Sequence, residues 1–268
     1  MMNNIKLIMC DIDGTLIDDN FKIPKDNIKA IKKLKDYGIK FGIASGRPVE
    51  TIFNTIKTWD ILNEVEYIVG SNGAQVYYYD TNQLILDNSL DINTIKYIEK
   101  LNNHLDCTIA IYDNITLLIN KITNMLYHQA NKINILYKII DFNKDIIKDY
   151  PKVLLISDID LQKEIYQYNV KHKLETYTII PSSNRLLEFI NINCSKANGI
   201  KKIAKRLNIK DDQILCFGDQ LNDLEMLETF IGVAMDNAIK QVKSIANYQT
   251  INNNQAGVGY FINKYIIK

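Results

Sequence analysis

The sequence predicts an α/β fold: a Rossmann-like, doubly wound, mostly parallel sheet with an α+β unit inserted into it. Three observations predict it. The apolar run Leu7-Ile8-Met9-Cys10 ends at two carboxylates, Asp11 and Asp13, followed by Gly14. A second apolar run, Ile39-Lys40-Phe41-Gly42-Ile43-Ala44, follows a helical pattern, which makes a β-α-β unit with a right-handed crossover and parallel strands. A later run, Gln213-Ile214-Leu215-Cys216-Phe217, again leads straight into glycine and carboxylates. Open α/β sheets hold their ligands at that carboxyl edge.

The elements follow in order. Ile28, Ile31 and Leu34 recur at helical spacing after Ile23-Pro24, and Gly38 is a stop signal. Ser45-Gly46-Arg47-Pro48 turns into a second helix, with Pro48 suited to its first turn. Tyr67-Ile68-Val69-Gly70 reads as a third strand running into Ser71-Asn72-Gly73-Ala74. Residues 75–79 and 84–86 read as a hairpin around Asp80-Thr81-Asn82. From about Asp87 the texture changes. Helical patterns near 92–105, 123–137 and 160–172 alternate with strand patterns near 108–112, 115–119, 152–157 and 175–180. The first pattern resumes at Leu186-Leu187-Glu188-Phe189-Ile190, then a helix near 198–207 and a last strand at Ile231-Gly232-Val233-Ala234-Met235. The domains read off are 1–86 with 186–268 for the core, and 87–185 for the insertion.

A chain of 268 residues is long enough for one large or two smaller domains. Hydrophobic residues at 47% and charged residues at 24% give an ordinary globular balance. A net charge of +1 offers no general attraction to nucleic acid or to an acidic membrane. Cys10, Cys107, Cys194 and Cys216 show no CxxC spacing, and Cys10 and Cys216 sit in apolar runs as small buried thiols do. Asp11 and Asp13 interrupt the first apolar run too early for a signal peptide, and no 18-residue apolar stretch exists. A cytoplasmic protein is expected.

Four clusters carry chemistry. In Asp11-Ile12-Asp13-Gly14-Thr15 one carboxylate can attack phosphorus and a second can protonate the leaving oxygen. A calcium loop would want Asp or Asn at position 15 and Glu at 22, where Thr15 and Lys22 stand. Ser45-Gly46 offers a hydroxyl and backbone N–H groups to phosphate oxygens, although alone it also fits an N-cap serine. Lys196 could neutralise a phosphate and its nucleophile, although most lysines are simply solvated. In Gly218-Asp219-Gln220-Leu221-Asn222-Asp223, Asp219 and Asp223 would share a face on a helix, and with Asp11 they suit Mg²⁺.

Together these stretches resemble the haloacid-dehalogenase-like superfamily and, within it, the Cof-type phosphatases. Asp11 to Leu16, Ala44 to Arg47, Lys196, and Gly218 to Asp223 look like that family's four motifs. Ser71-Asn72-Gly73-Ala74, Val233-Ala234-Met235-Asp236-Asn237-Ala238 and Gly257-Val258 are similar to further family stretches. The resemblance implies that Asp11 is nucleophile and Mg²⁺ ligand, and Asp13 acid/base with its carbonyl on the metal. It implies that Ile12, Ser45, Gly46, Lys196 and Asn222 hold the phosphoryl group. Asp219 would be a further ligand, and Asp223 would act through water or by holding Lys196. The short span from Asp13 to Ser45 and the long one from Ser45 to Lys196 imply the second, α/β type of cap. The implied substrate is a small phosphorylated metabolite: a sugar phosphate, pyridoxal phosphate or flavin mononucleotide. Tyr112, His128 and Arg185 are candidates to face it, and Arg47 to hold an anion or the cap.

Rival chemistries fail on paper. No cysteine has arginine six positions later, no Gly-x-x-x-x-Gly-Lys-Ser/Thr loop exists, and His104, His128 and His172 form no metal pattern. A phosphomannomutase-like mutase using Asp11, and a non-catalytic phosphometabolite-binding protein, are the alternatives.

Overall fold

The computed structural model describes residues 4–127 and 136–267. The chain splits into two compact units, 1–85 with 195–268, and 86–194. Strands β1 (Leu7–Cys10), β2 (Lys40–Ala44), β3 (Val65–Gly70), β4 (Gln75–Tyr78) and β5 (Gln83–Leu86) come first. Then come β6 (Cys107–Asp113), β7 (Thr116–Ile119), β8 (Tyr137–Ile139), β9 (Val153–Ser157), β10 (Tyr177–Ser183) and β11 (Leu186–Asn191). The chain ends with β12 (Ile214–Gly218), β13 (Ile231–Ala234) and β14 (Tyr248–Gln249).

The first unit's sheet runs β14-β13-β12-β1-β2-β3-β4-β5. Every pairing from β14 to β3 is parallel, and β4 turns back antiparallel on β3. β1 and β12 are buried at every position, as strands covered on both faces must be. The chain leaves β1 toward β2 on one side and returns through β12 on the other. β1 therefore stands at a switch point, where doubly wound sheets open a crevice. The helix Lys25–Lys33 continues as a single tighter turn, Leu34–Tyr37, and stops at Gly38 with φ +67.

The second unit has its own sheet, ordered β10-β11-β9-β6-β7-β8. Alternation sorts its side chains: Ile109 and Ile111 pack with Ile95 and Ile98 of the helix Ile92–Asn102, while Ala110 joins Leu154 and Ile156 on the other face. Buried Asn102 and Asn169 exchange two amide hydrogen bonds of 2.9 and 2.7 Å, which tie that helix to Ile159–His172.

One boundary differs from the expectation. Leu186 to Ile190 does not resume the first unit: β11 pairs antiparallel with β10 and β9, and Leu187 and Phe189 fill the second core. A short hairpin carries β10 into β11, and an apolar strand pattern bears no mark of which core it fills. β8, β14 and the single turn Phe142–Asp145 carry too little periodicity to be foreseen. His128 and much of the 123–137 helical pattern lie outside the described residues. Among the described residues no helix is long and apolar enough to cross a membrane.

The helix Ile92–Asn102 owes its start to Asp91, whose carboxylate accepts from the Asn93 and Thr94 amides and the Thr94 hydroxyl. The Thr94 hydroxyl first, then the amides, hold this carboxyl below its usual range. Asp91→Ala should therefore cost about 1 kcal/mol in denaturant unfolding. The difference should be full above pH ~4 and shrink as pH falls through the depressed value, because a protonated carboxyl accepts those bonds more weakly than the carboxylate.

Candidate active site

Three neighbouring parallel strands deliver the site. The Asp11 amide donates to Phe217 O of β12 at 3.0 Å, which carries the ladder one residue past β1. Ser45 follows β2, its amide donating to Val69 O at 2.8 Å, and Asp219 follows β12 directly. Lys196 opens the helix Lys196–Leu207, whose N-cap is Ser195, its hydroxyl accepting from Asn198 N. That start lies two residues before the expected one, so the ammonium springs from a fixed turn.

The Lys196 ammonium is fully buried and donates to Asp11 Oδ1 and Asp223 Oδ1, both at 2.6 Å. Burial alone would lower its pKa, but the Asp11 and Asp223 carboxylates outweigh that and raise it above the usual lysine value. Asp223 does not sit on a helical face with Asp219. It closes a tight turn instead, its Oδ2 accepting from the Asp219 and Gln220 amides. Asp219 accepts from the Thr15 hydroxyl at 2.9 Å and the Gln220 side chain at 3.1 Å.

Asp11, Asp219 and Asp223 each present an oxygen within 4.8 Å of the others, all buried. Burial, then Asp223, pushes Asp219 up to about 6. Burial also pushes Asp11 well above the carboxylate range, against the pull of Lys196. With all three carboxylates ionised around one ammonium, the cluster carries a net charge of minus two. A divalent cation with a preference for oxygen fits that excess. Among the described residues Asp11, Asp219 and Asp223 could hold one, and Asp223 also ties Lys196 to the turn. Gly14 is required here: its φ is +78, and a Cβ would come within 2.5 Å of Asp219 Oδ2.

Asp13 stands apart from this cluster. Arg47 grips it with two bonds, Nε to Oδ2 at 2.9 Å and Nη2 to Oδ1 at 2.5 Å. Ser45 is buried, and its hydroxyl accepts from the Arg47 amide at 3.2 Å rather than capping the following helix, Val49–Ile56, which starts after Pro48. Ile12 is buried within the irregular turn Ile12–Leu16. Gly46 lies beside Asn72, where a Cβ would meet Asn72 Oδ1 at 3.2 Å, and Asn222 donates to that oxygen at 3.2 Å.

Thr15, Asn72 and Asn237 belong to this network and were given no role by sequence. Asn237 donates to Gly14 O at 2.7 Å and so braces the first turn. All three lie in stretches whose pattern was visible but whose partners are remote in sequence. In the second unit, Tyr112 is half-buried, its phenol raised by burial and then by Glu188, and Arg185 is exposed. The thiols of Cys10 and Cys216 are buried and pushed well up, burial being the first cause.

A family profile described as haloacid dehalogenase-like hydrolase matches residues 8–262. The 5-amino-6-(5-phospho-D-ribitylamino)uracil phosphatase YitU of Bacillus subtilis is 28% identical, over 97% of this chain and 97% of that one. A haloacid dehalogenase-like hydrolase from Bacteroides thetaiotaomicron superposes with a TM-score of 0.86 at 23% identity, covering 97% of this chain and 99% of that one. A structure described as a subclass IIB sugar phosphatase gives 0.83 at 22% identity, covering 98% and 100%.

Two outcomes are expected from the buried charges. Lys196→Met should lower stability by about 3–5 kcal/mol in denaturant unfolding, because it strands two buried carboxylates. In chelator, stability should fall as pH rises through about 6, since folded Asp219 holds a proton that the unfolded chain releases near pH ~3.9. Melting temperatures across that range should show a flatter slope for Asp219→Asn.

Proposed function

The chain belongs to the haloacid dehalogenase-like hydrolase family, as a phosphatase, and from that premise we propose that it hydrolyses small phosphate monoesters through a phosphoryl group carried on Asp11. The observation that carries the reading is the buried Lys196 ammonium, 2.6 Å from both Asp11 and Asp223, with the Asp219 carboxylate beside them.

In the first step an Asp11 oxygen attacks phosphorus and the bond to the leaving oxygen breaks. Asp13 gives that oxygen its proton, so an alcohol departs and an aspartyl-phosphate remains. In the second step water attacks phosphorus, Asp13 takes the water's proton, and the bond to Asp11 breaks. Phosphate leaves and Asp11 is a carboxylate again. Lys196 sits against the nucleophile throughout and offsets charge on the transferring group. Ser45, the Ile12 and Gly46 backbone, and Asn222 would orient the phosphoryl oxygens. Mg²⁺ held by Asp11, Asp219 and the Asp13 carbonyl would, when bound, neutralise the excess carboxylate charge and that of the substrate.

Asp13 meets Arg47 through both oxygens, so proton delivery requires it to exchange that partner for the leaving oxygen. Substrate choice is assigned to the second unit, which contains none of the four motifs. Sugar phosphates, pyridoxal phosphate and flavin mononucleotide are the candidates. YitU's named substrate, a phosphorylated ribityl chain, lends support to esters of polyhydroxylated chains.

The reading is tested on a panel of phosphate monoesters with Mg²⁺. Turnover should appear, vanish with chelator, and vanish in Asp11→Asn while its melting temperature holds. Asp13→Ala should lose about 10²–10⁴-fold, most for esters with poor leaving groups. Full activity in Asp11→Asn would rule out the covalent route.

A further inference from the structure

Ser71, Asn72 and Gly73 take left-handed backbone angles one after another, with φ of +49, +55 and +109. Gly73 adopts such angles freely and Asn72 tolerably, but Ser71 is strained there and keeps that backbone only where the surroundings impose it. Here the surroundings are three pieces of the site. The Asn72 amide donates to Ser45 O at 3.1 Å and the Ser71 amide to Arg47 O at 2.8 Å. Gly73 packs on the residue before Lys196: a Cβ there would lie 1.9 Å from Ser195 O. The buried Asn72 side chain reaches the third piece, its Oδ1 accepting from Asn222 Nδ2 at 3.2 Å. The same oxygen lies against Gly46.

We propose that Asn72 is a positioning residue of the phosphoryl pocket, holding the Asn222 carboxamide against the Ser45–Gly46 backbone. The inference rests on the hydrolase reading above. An amide nitrogen carries two hydrogens. With one given to Asn72, the other is left for a phosphoryl oxygen, and the amide cannot turn its carbonyl toward that anion. The strained turn sets Asn72 so that the pocket's backbone and the Asn222 side chain keep register with each other. Asn72 touches no substrate and acts through Asn222.

The test is a double-mutant cycle of Asn72→Gly and Asn222→Ala, read as kcat/KM and as inhibition by inorganic phosphate. Glycine keeps the +55 φ, so Asn72→Gly removes only the side chain. It should lower kcat/KM by about fivefold to tenfold and weaken phosphate inhibition by a similar factor. In the Asn222→Ala background the same change should alter either value by less than about twofold. Melting temperature is followed in parallel. Losses that add fully to those of Asn222→Ala, or that track a loss of folded protein, overturn the proposal and make Asn72 merely structural. Wild-type values in Asn72→Gly beside an impaired Asn222→Ala also overturn it, while leaving the hydrolase reading intact. A wild-type protein without turnover would instead sink the hydrolase reading.

Discussion

The buried ion pairs of Lys196 with Asp11 and Asp223 are the constraint on which the rest depends. Taking these charges out of water costs several kcal/mol per ion, and the pairing offsets this only when geometry is tight. The chain supplies that geometry from three directions: the end of β1, the turn after β12 and the first residue of the helix Lys196–Leu207. A cation at a helix N-terminus opposes the helix dipole. Lys196 is thus a poor choice for starting a helix and a good one for facing carboxylates. Local preference yields there to the site, as happens where a fold carries function.

The scaffold makes this possible by close approach of backbone to backbone and backbone to side chain. Gly14 lets Asp219 reach the end of β1, and Gly73 lets the strained turn touch Ser195. A methyl group at either would push apart segments that must converge. The polar braces work in the same direction. Thr15 and Gln220 fix the two Asp219 oxygens, and Asn237 fixes the Gly14 carbonyl. Each oxygen so fixed is one less degree of freedom when charge moves on a bound phosphate.

Much of this was legible in the sequence because the relevant residues terminate strongly apolar runs. A run such as Ile214 to Phe217 can only be a buried strand, and the residues just after it must sit at the sheet's edge. The approach of Asp219 to Asp11 could be anticipated on that ground, whereas Lys196, which opens a helix, was singled out through the family resemblance. Partnerships between distant residues could not. Nothing in the chain's pattern links Asn72 to Asn222, or tells that Asp223 folds back on the Asp219 amide. The return to the first unit was set too early for the same reason. Leu186 to Ile190 reads as a buried apolar strand, and the choice of core is made by tertiary pairing with β9 and β10.

Asp11 and Asp13 show how environment sorts two identical side chains. Along a continuing strand they would face the same side, but the chain turns at Ile12–Leu16, with Gly14 at φ +78. Asp11 stays buried against an ammonium, whereas the Asp13 side chain is 51% exposed and held by Arg47, itself 28% exposed. Breaking the first pair costs about 3–5 kcal/mol, while a pair as open as the second is worth no more than about 1 kcal/mol. A nucleophile has to keep its place, which strong anchoring provides. An acid and base has to leave its partner, meet a leaving oxygen and later a water, which weak anchoring permits. The difference in anchoring therefore supports the proposed division of roles independently of any motif, and in the order that the aspartyl-phosphate route requires.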